Sequence, residues 1–224
     1  MALPVAPMAL PAADDDNGGQ FTTHHVVDTH VRGKALSVVY TNDSVSVESS
    51  IQTMEQFLAK DKYRVVGFDL EYTIGRARHD QKVAVAQLCV RHDVLIYHFH
   101  LSTRPCEHFS RFIKSSDYSF ATVDTTNEIK ALKVSDLKCP NLVNIQHHYK
   151  VWGSDKSKLN SLVDLASAII DPYYAKMKED SNKDKNAWHS VWNKRLDEQH
   201  VTDAYTSYEM YRRIVDMRNC LLPD

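Results

Sequence analysis

Residues Arg64–Tyr72 (RVVGFDLEY), followed by Lys82–Val90 (KVAVAQLCV) and Val94–Phe99 (VLIYHF), decide how this chain folds. The first stretch opens as an apolar run, as a strand buried on both faces requires. The next two read as further strands. Residues i and i+2 of a strand point to the same side of a sheet. Asp69 and Glu71 therefore share one side near the C-terminal end of a largely apolar strand. Buried like charges cost several kcal/mol unless they are neutralised. A divalent cation is the usual neutraliser, and carboxylates with no thiolate nearby suit Mg²⁺ or Mn²⁺ rather than zinc. The other reading open to this pair is a solvated strand end.

On the N-terminal side, Thr22–Val31 and Leu36–Thr41 are rich in Val, Thr and Tyr and flank a short turn containing Gly33, which predicts a β-hairpin. Asp43 or Ser44 can cap a helix running to about Lys60, with Val47, Ile51, Met54 and Phe57 as its buried stripe. On the C-terminal side the pattern predicts a helix over Cys106–Ser115, a short strand over Tyr118–Val123 and a helix through Ile129. Beyond Val151 the pattern is helical. Leu159, Leu162, Val163, Leu165, Ala166 and Ile169 mark one helix. Val201–Met217 marks another, with Arg212 and Arg213 towards its end. Strands first, then mixed elements, then helices imply an α/β or α+β layout with a mixed central sheet. Residues 1–20 carry prolines at positions 4, 7 and 11, then three aspartates and two glycines, and are expected to form a flexible tail ahead of one domain over residues 21–224.

The 224 residues are 43% hydrophobic and 25% charged, ordinary globular usage. A formal charge of −2 gives no global electrostatic case for nucleic acid, so such binding would need a local basic patch. No run of about 18 apolar residues suggests a membrane span. Cys89, Cys106, Cys139 and Cys220 are far apart and form no CxxC pair, which reads as reduced thiols in a nuclear or cytoplasmic protein. Of the twelve histidines, none pairs with cysteine at finger spacing; they read as solvated or partly buried side chains.

GFDLEYTIG, KVAVAQLCVRHDVLIYHF and the late segment TDAYTSYEMYRRI, taken together and in this order, resemble the Werner-type DEDD 3′–5′ exonucleases. In that family one strand reads FDxE, the next reads VAxxQ, and a final helix carries an aspartate in a TDAY-like setting. The resemblance spans about Lys60 to Arg218, roughly 160 residues. It implies a ribonuclease H-like fold, a mixed sheet flanked by helices, and a site for two Mg²⁺ or Mn²⁺ ions acting on a DNA or RNA 3′ end. Asp69 would bridge both ions and Glu71 would hold one. A carboxylate from the middle helix would complete the second, and Asp203 would close the first.

Two positions depart from the family pattern. The middle-helix aspartate is replaced by Glu128, with Asp124 as the alternative four residues earlier. The water-orienting tyrosine or histidine, four residues before the last aspartate, is replaced by Gln199. Glutamine can hydrogen-bond a water but cannot take its proton. His200 is adjacent, although on an ideal helix it points about 100° away from Gln199. Arg76 and Arg78, just after the DxE strand, and Arg91 are expected to contact phosphates near the metal edge. The alternative function is a catalytically inactive descendant that binds nucleic acid or a protein partner through the same groove, and a purely structural interaction module is the third reading.

Overall fold

In the computed structural model, which describes residues 24–31, 34–73, 81–102, 104–148, 161–176 and 198–221, the three strands quoted above lie side by side. They are β3 (Val65–Tyr72), β4 (Val83–Val90) and β5 (Asp93–Tyr97), joined antiparallel. The hairpin β1 (His24–Val31) and β2 (Lys34–Thr41) adds parallel to β5. On the other flank, β6 (Ser119–Thr122) and β7 (Leu142–Asn144) add parallel to β3. The result is a seven-stranded mixed sheet in the order β1-β2-β5-β4-β3-β6-β7.

Helices cover both faces, and strand alternation decides which residue meets which helix. One face packs Val65 of β3 with Val85, Cys89 and Ile96 against α5 (Leu162–Ile169) and α6 (Glu198–Leu221). The other packs Val66, Phe68 and Leu70 of β3 against α1 (Ser44–Leu58), α2 (Glu107–Lys114) and α3 (Thr125–Val134). A one-turn helix, α4 (Ile145–His148), follows β7. Asp43 caps α1 by accepting from the Ser46 N–H at 2.9 Å. The α1 stripe is Val47, Ile51, Met54 and Leu58, so Leu58 takes the inward position expected of Phe57. Phe57 is half-buried instead, with the Arg91 guanidinium 5.0 Å from its ring centre.

Helix α6 lies unusually close to β3. A Cβ placed on Gly67 would fall 2.0 Å from the carbonyl oxygen of Ala204 and 2.8 Å from the Tyr208 backbone N. Only a glycine permits that approach, and the small Ala204 faces it. The helix is held there from both sides. Lys34 on β2 pairs with Glu209 at 2.9 Å. Arg212 donates to the Tyr208 hydroxyl at 3.0 Å and lies over the rings of Tyr63 and Tyr208. Tyr63 in turn bonds Asp216.

Three elements differ from the sequence expectation. Helix α3 continues past Ile129 to Val134, because Ala131 and Leu132 extend its buried side. Helix α6 is longer than Val201–Met217, which leaves Arg212 and Arg213 two turns before its end. Strand β7 was not expected; three residues carry too little alternation to read. The tail expected over residues 1–20 lies outside the described residues. All four cysteines are free, and no helix among the described residues is long and apolar enough to cross a membrane.

Gly67→Ala is expected to destabilise the protein by about 1–3 kcal/mol, since the atoms it meets are backbone and can yield only if α6 shifts. A urea denaturation midpoint measures this, and an unchanged midpoint would mean that α6 does not seat on β3 as described.

Candidate metal centre

Asp69 and Glu71 lie on the same side of β3 as Gly67, so they face α6, where Asp203 sits one residue before the close contact at Ala204. Each of the three offers one carboxylate oxygen, and these oxygens lie within 4.8 Å of one another. Among the described residues this is the one convergence of three metal-ligating side chains. The fourth acid, Glu128, comes from the first turn of α3, is 7% exposed, and its buried Oε2 has no hydrogen-bond partner among the described residues. Asp124 does not compete with it. Asp124 is exposed and serves as the N-cap of α3, accepting from the Thr126 N–H at 3.1 Å, with φ at 57° in the left-handed region that Asp tolerates.

Burial, and then repulsion from Asp203, Glu71 and Glu128, hold the Asp69 carboxyl well above the usual carboxylate range. The same causes push Glu71 up to about 8. Burial pushes Asp203 and Glu128 up to about 7 each. None of the ion pairs formed among the described residues involves these four acids. The Asp69, Glu71 and Asp203 side chains are half-buried and offer oxygen donors alone, a set suited to Mg²⁺ or Mn²⁺.

Two neighbours were not singled out by sequence reasoning. Gln87 stands directly across from Asp69 in the β3–β4 register and donates its Nε2 to the Asp69 carboxylate at 3.3 Å. It is fully buried, and its Oε1 has no donor. The signal was present: Gln87 is the polar residue in an otherwise apolar β4, at the end of the VAxxQ pattern. Tyr72 is the second: burial, and then the charge of the Glu128 carboxylate, raise its hydroxyl. A register shift between Glu71 and Tyr72 accompanies this turn away from the α6 side.

The expectation for Arg91 is corrected. Strand β4 runs antiparallel to β3, with Cys89 opposite Gly67, so the turn carrying Arg91 lies beyond the start of β3. That is about 20 Å along the strand from Glu71 at 3.3 Å per residue, and its guanidinium is committed to Phe57. Arg76 and Arg78 lie outside the described residues. Gln199 and His200 contribute backbone to the first turn of α6; their side chains lie outside the described residues.

No protein-family model matches the chain, and no curated protein sequence matches it. Solved structures do. Escherichia coli RNase D, an exoribonuclease involved in structured RNA processing, superposes with a TM-score of 0.60 at 12% identity, covering 82% of this chain and 46% of that one. The catalytic core of RRP6 from Trypanosoma brucei gives 0.53 at 12% identity, covering 81% and 47%. The Aedes aegypti Nibbler EXO domain gives 0.52 at 13% identity, covering 83% and 90%. The fold is ribonuclease H-like. The chain spans about half the length of the RNase D and RRP6 structures and most of the Nibbler domain.

The raised carboxyl groups give stability a definite pH dependence. Ordinary Asp and Glu side chains titrate near 4 in the unfolded chain. Between there and about 8 the folded metal-free protein holds more protons than the unfolded one, so its stability falls as pH rises. The melting temperature of metal-free protein is expected to fall from about pH 5.5 to about pH 8.5. Mg²⁺ or Mn²⁺ should restore it most at the upper end, where the carboxylates are ionised. A melting temperature that rises with pH over this window would contradict the clustering.

Proposed function

We propose that this protein is a divalent-metal-dependent 3′–5′ exonuclease that hydrolyses the terminal phosphodiester of a DNA or RNA strand. The observation that carries this reading is the convergence of Asp69, Glu71 and Asp203 from a central strand and the last helix, with oxygens within 4.8 Å, inside a fold shared with exonuclease domains. Three carboxylates facing one another without a counter-cation are poorly suited to stability alone.

Asp69, Glu71, Asp203 and Glu128 would hold Mg²⁺ or Mn²⁺, which when bound supplies charge neutralisation and water activation beside the scissile phosphate. Gln87 fixes the Asp69 carboxylate by donating to one of its oxygens. Gly67 lets α6 bring Asp203 onto the strand. Gln199, or His200 beside it, would orient the attacking water from the first turn of α6, and Gln199 would do so without accepting its proton. Arg76 and Arg78, after β3, would meet the phosphate backbone. A protein partner binding the same groove belongs to the inactive alternative.

The test is degradation of a 5′-labelled single strand and a 3′-recessed duplex in Mg²⁺, Mn²⁺ or EDTA. A ladder shortening from the 3′ end is expected, abolished by EDTA and reduced at least about 10²-fold in Asp69→Ala and Asp203→Asn. Gln199→Tyr is expected to raise the rate. No ladder from folded protein in either metal would turn the assignment to the inactive binding module.

A further inference from the structure

Strand β4 is buried along its whole length, and Gln87 is the polar exception in it, at 0% exposure. A buried amide is costly unless its donors and its carbonyl oxygen are both bonded. Here only half of that condition is met. Nε2 donates to Oδ2 of Asp69 at 3.3 Å, slightly longer than a usual N–H···O bond. Oε1 has no donor among the described residues. Ser207, on α6 one turn beyond Asp203 and equally buried, does not supply one, since its own Oγ lacks a partner.

The orientation of the amide follows from its partner. A metal-binding carboxylate is ionised and only accepts, so Nε2 is the atom that faces Asp69. Oε1, the other polar atom of the same planar amide, is left beside the acidic cleft. The antiparallel register sets Gln87 directly opposite Asp69. Both side chains therefore stand on the α6 side of the sheet, where Glu71 and Asp203 converge with Asp69. A hydrated divalent ion brings to such a place the donor that the protein does not. Octahedral Mg²⁺ on three carboxylate oxygens keeps about three positions for water. The O–H bonds of those waters point away from the cation, towards acceptors in the surrounding shell.

We propose that Gln87 is a positioning residue of the metal centre, its Nε2 holding the Asp69 carboxylate and its Oε1 accepting a hydrogen bond from a water on the ion. This rests on the metal-dependent reading above and deepens it. The amide then serves the loaded site and not the fold. Without an ion, an apolar side chain of the same length would replace it at no loss of stability, because an unbonded buried carbonyl oxygen goes with it. Removing a group that supports a metal ligand from behind lowers metal affinity by about 10–100-fold.

Affinity and stability, read side by side, test this without recourse to activity. Mn²⁺ alone is titrated into the full chain near neutral pH, with free Mn²⁺ followed by electron paramagnetic resonance. The native protein is compared with Gln87→Met, which keeps side-chain length, and with Gln87→Leu. Melting temperatures of all three are taken in EDTA. Both variants are expected to bind Mn²⁺ at least about tenfold more weakly and to melt, metal-free, no lower than the native chain. A residue kept for packing alone would lower the melting temperature and leave affinity in place. Variant affinity within about threefold of native, short of the loss that a severed ligand support gives, overturns the proposal and leaves the metal-dependent reading standing. So do lower melting temperatures or loss of folding in both variants, since the amide is then part of the fold. Absence of any Mn²⁺ site in the folded native chain overturns both.

Discussion

Strand β3 and helix α6 meet backbone to backbone at Gly67 and Ala204, and the acidic cleft exists only because they do. Asp203 is the neighbour of Ala204, and Asp69 lies two residues beyond Gly67 on the same side of the strand. A helix riding on an ordinary side chain would stand several ångströms further from the sheet, near the usual spacing of packed layers. Lys34, Tyr63 and Arg212 secure the helix at points away from the acids. The restraint is therefore supplied by groups that carry none of the chemistry. That separation lets three mutually repelling carboxyl groups be held together by packing rather than by pairing with cations.

The central sheet was legible because its strands are buried on both faces and so read as apolar runs. Asp69 and Glu71 stood out against that background, and the period of two put them on one side. Asp203 was legible only through the resemblance, since an aspartate on a polar helix turn has no pattern of its own. The place of Arg91 could have been derived from the same strands: an antiparallel neighbour carries its following turn to the opposite end of the sheet. The inward position of Leu58 rather than Phe57 reflects a helix stripe spaced four residues at its end instead of three.

The parts that were not legible depend on local backbone detail. Glu128 and Asp124 were separable only once α3 had a starting point. The left-handed Asp124 spends its carboxylate on capping, which places Glu128 on the buried side of the first turn. Gln87 illustrates the reverse case. Its polarity in β4 was visible, but its role follows from the register that sets it against Asp69.

The distance between Asp69 and Asp203 along the chain, 134 residues, also bears on how the molecule is born. At about 5–20 residues per second, a ribosome makes the strand carrying Asp69 and Glu71 roughly 7–27 seconds before it makes Asp203. During that interval one apolar face of the sheet, with Val65, Val85 and Cys89, lacks the helix that covers it. Closure of the cleft thus waits on α6, and a nascent chain halted before α6 exposes a sticky sheet face rather than a smaller working domain.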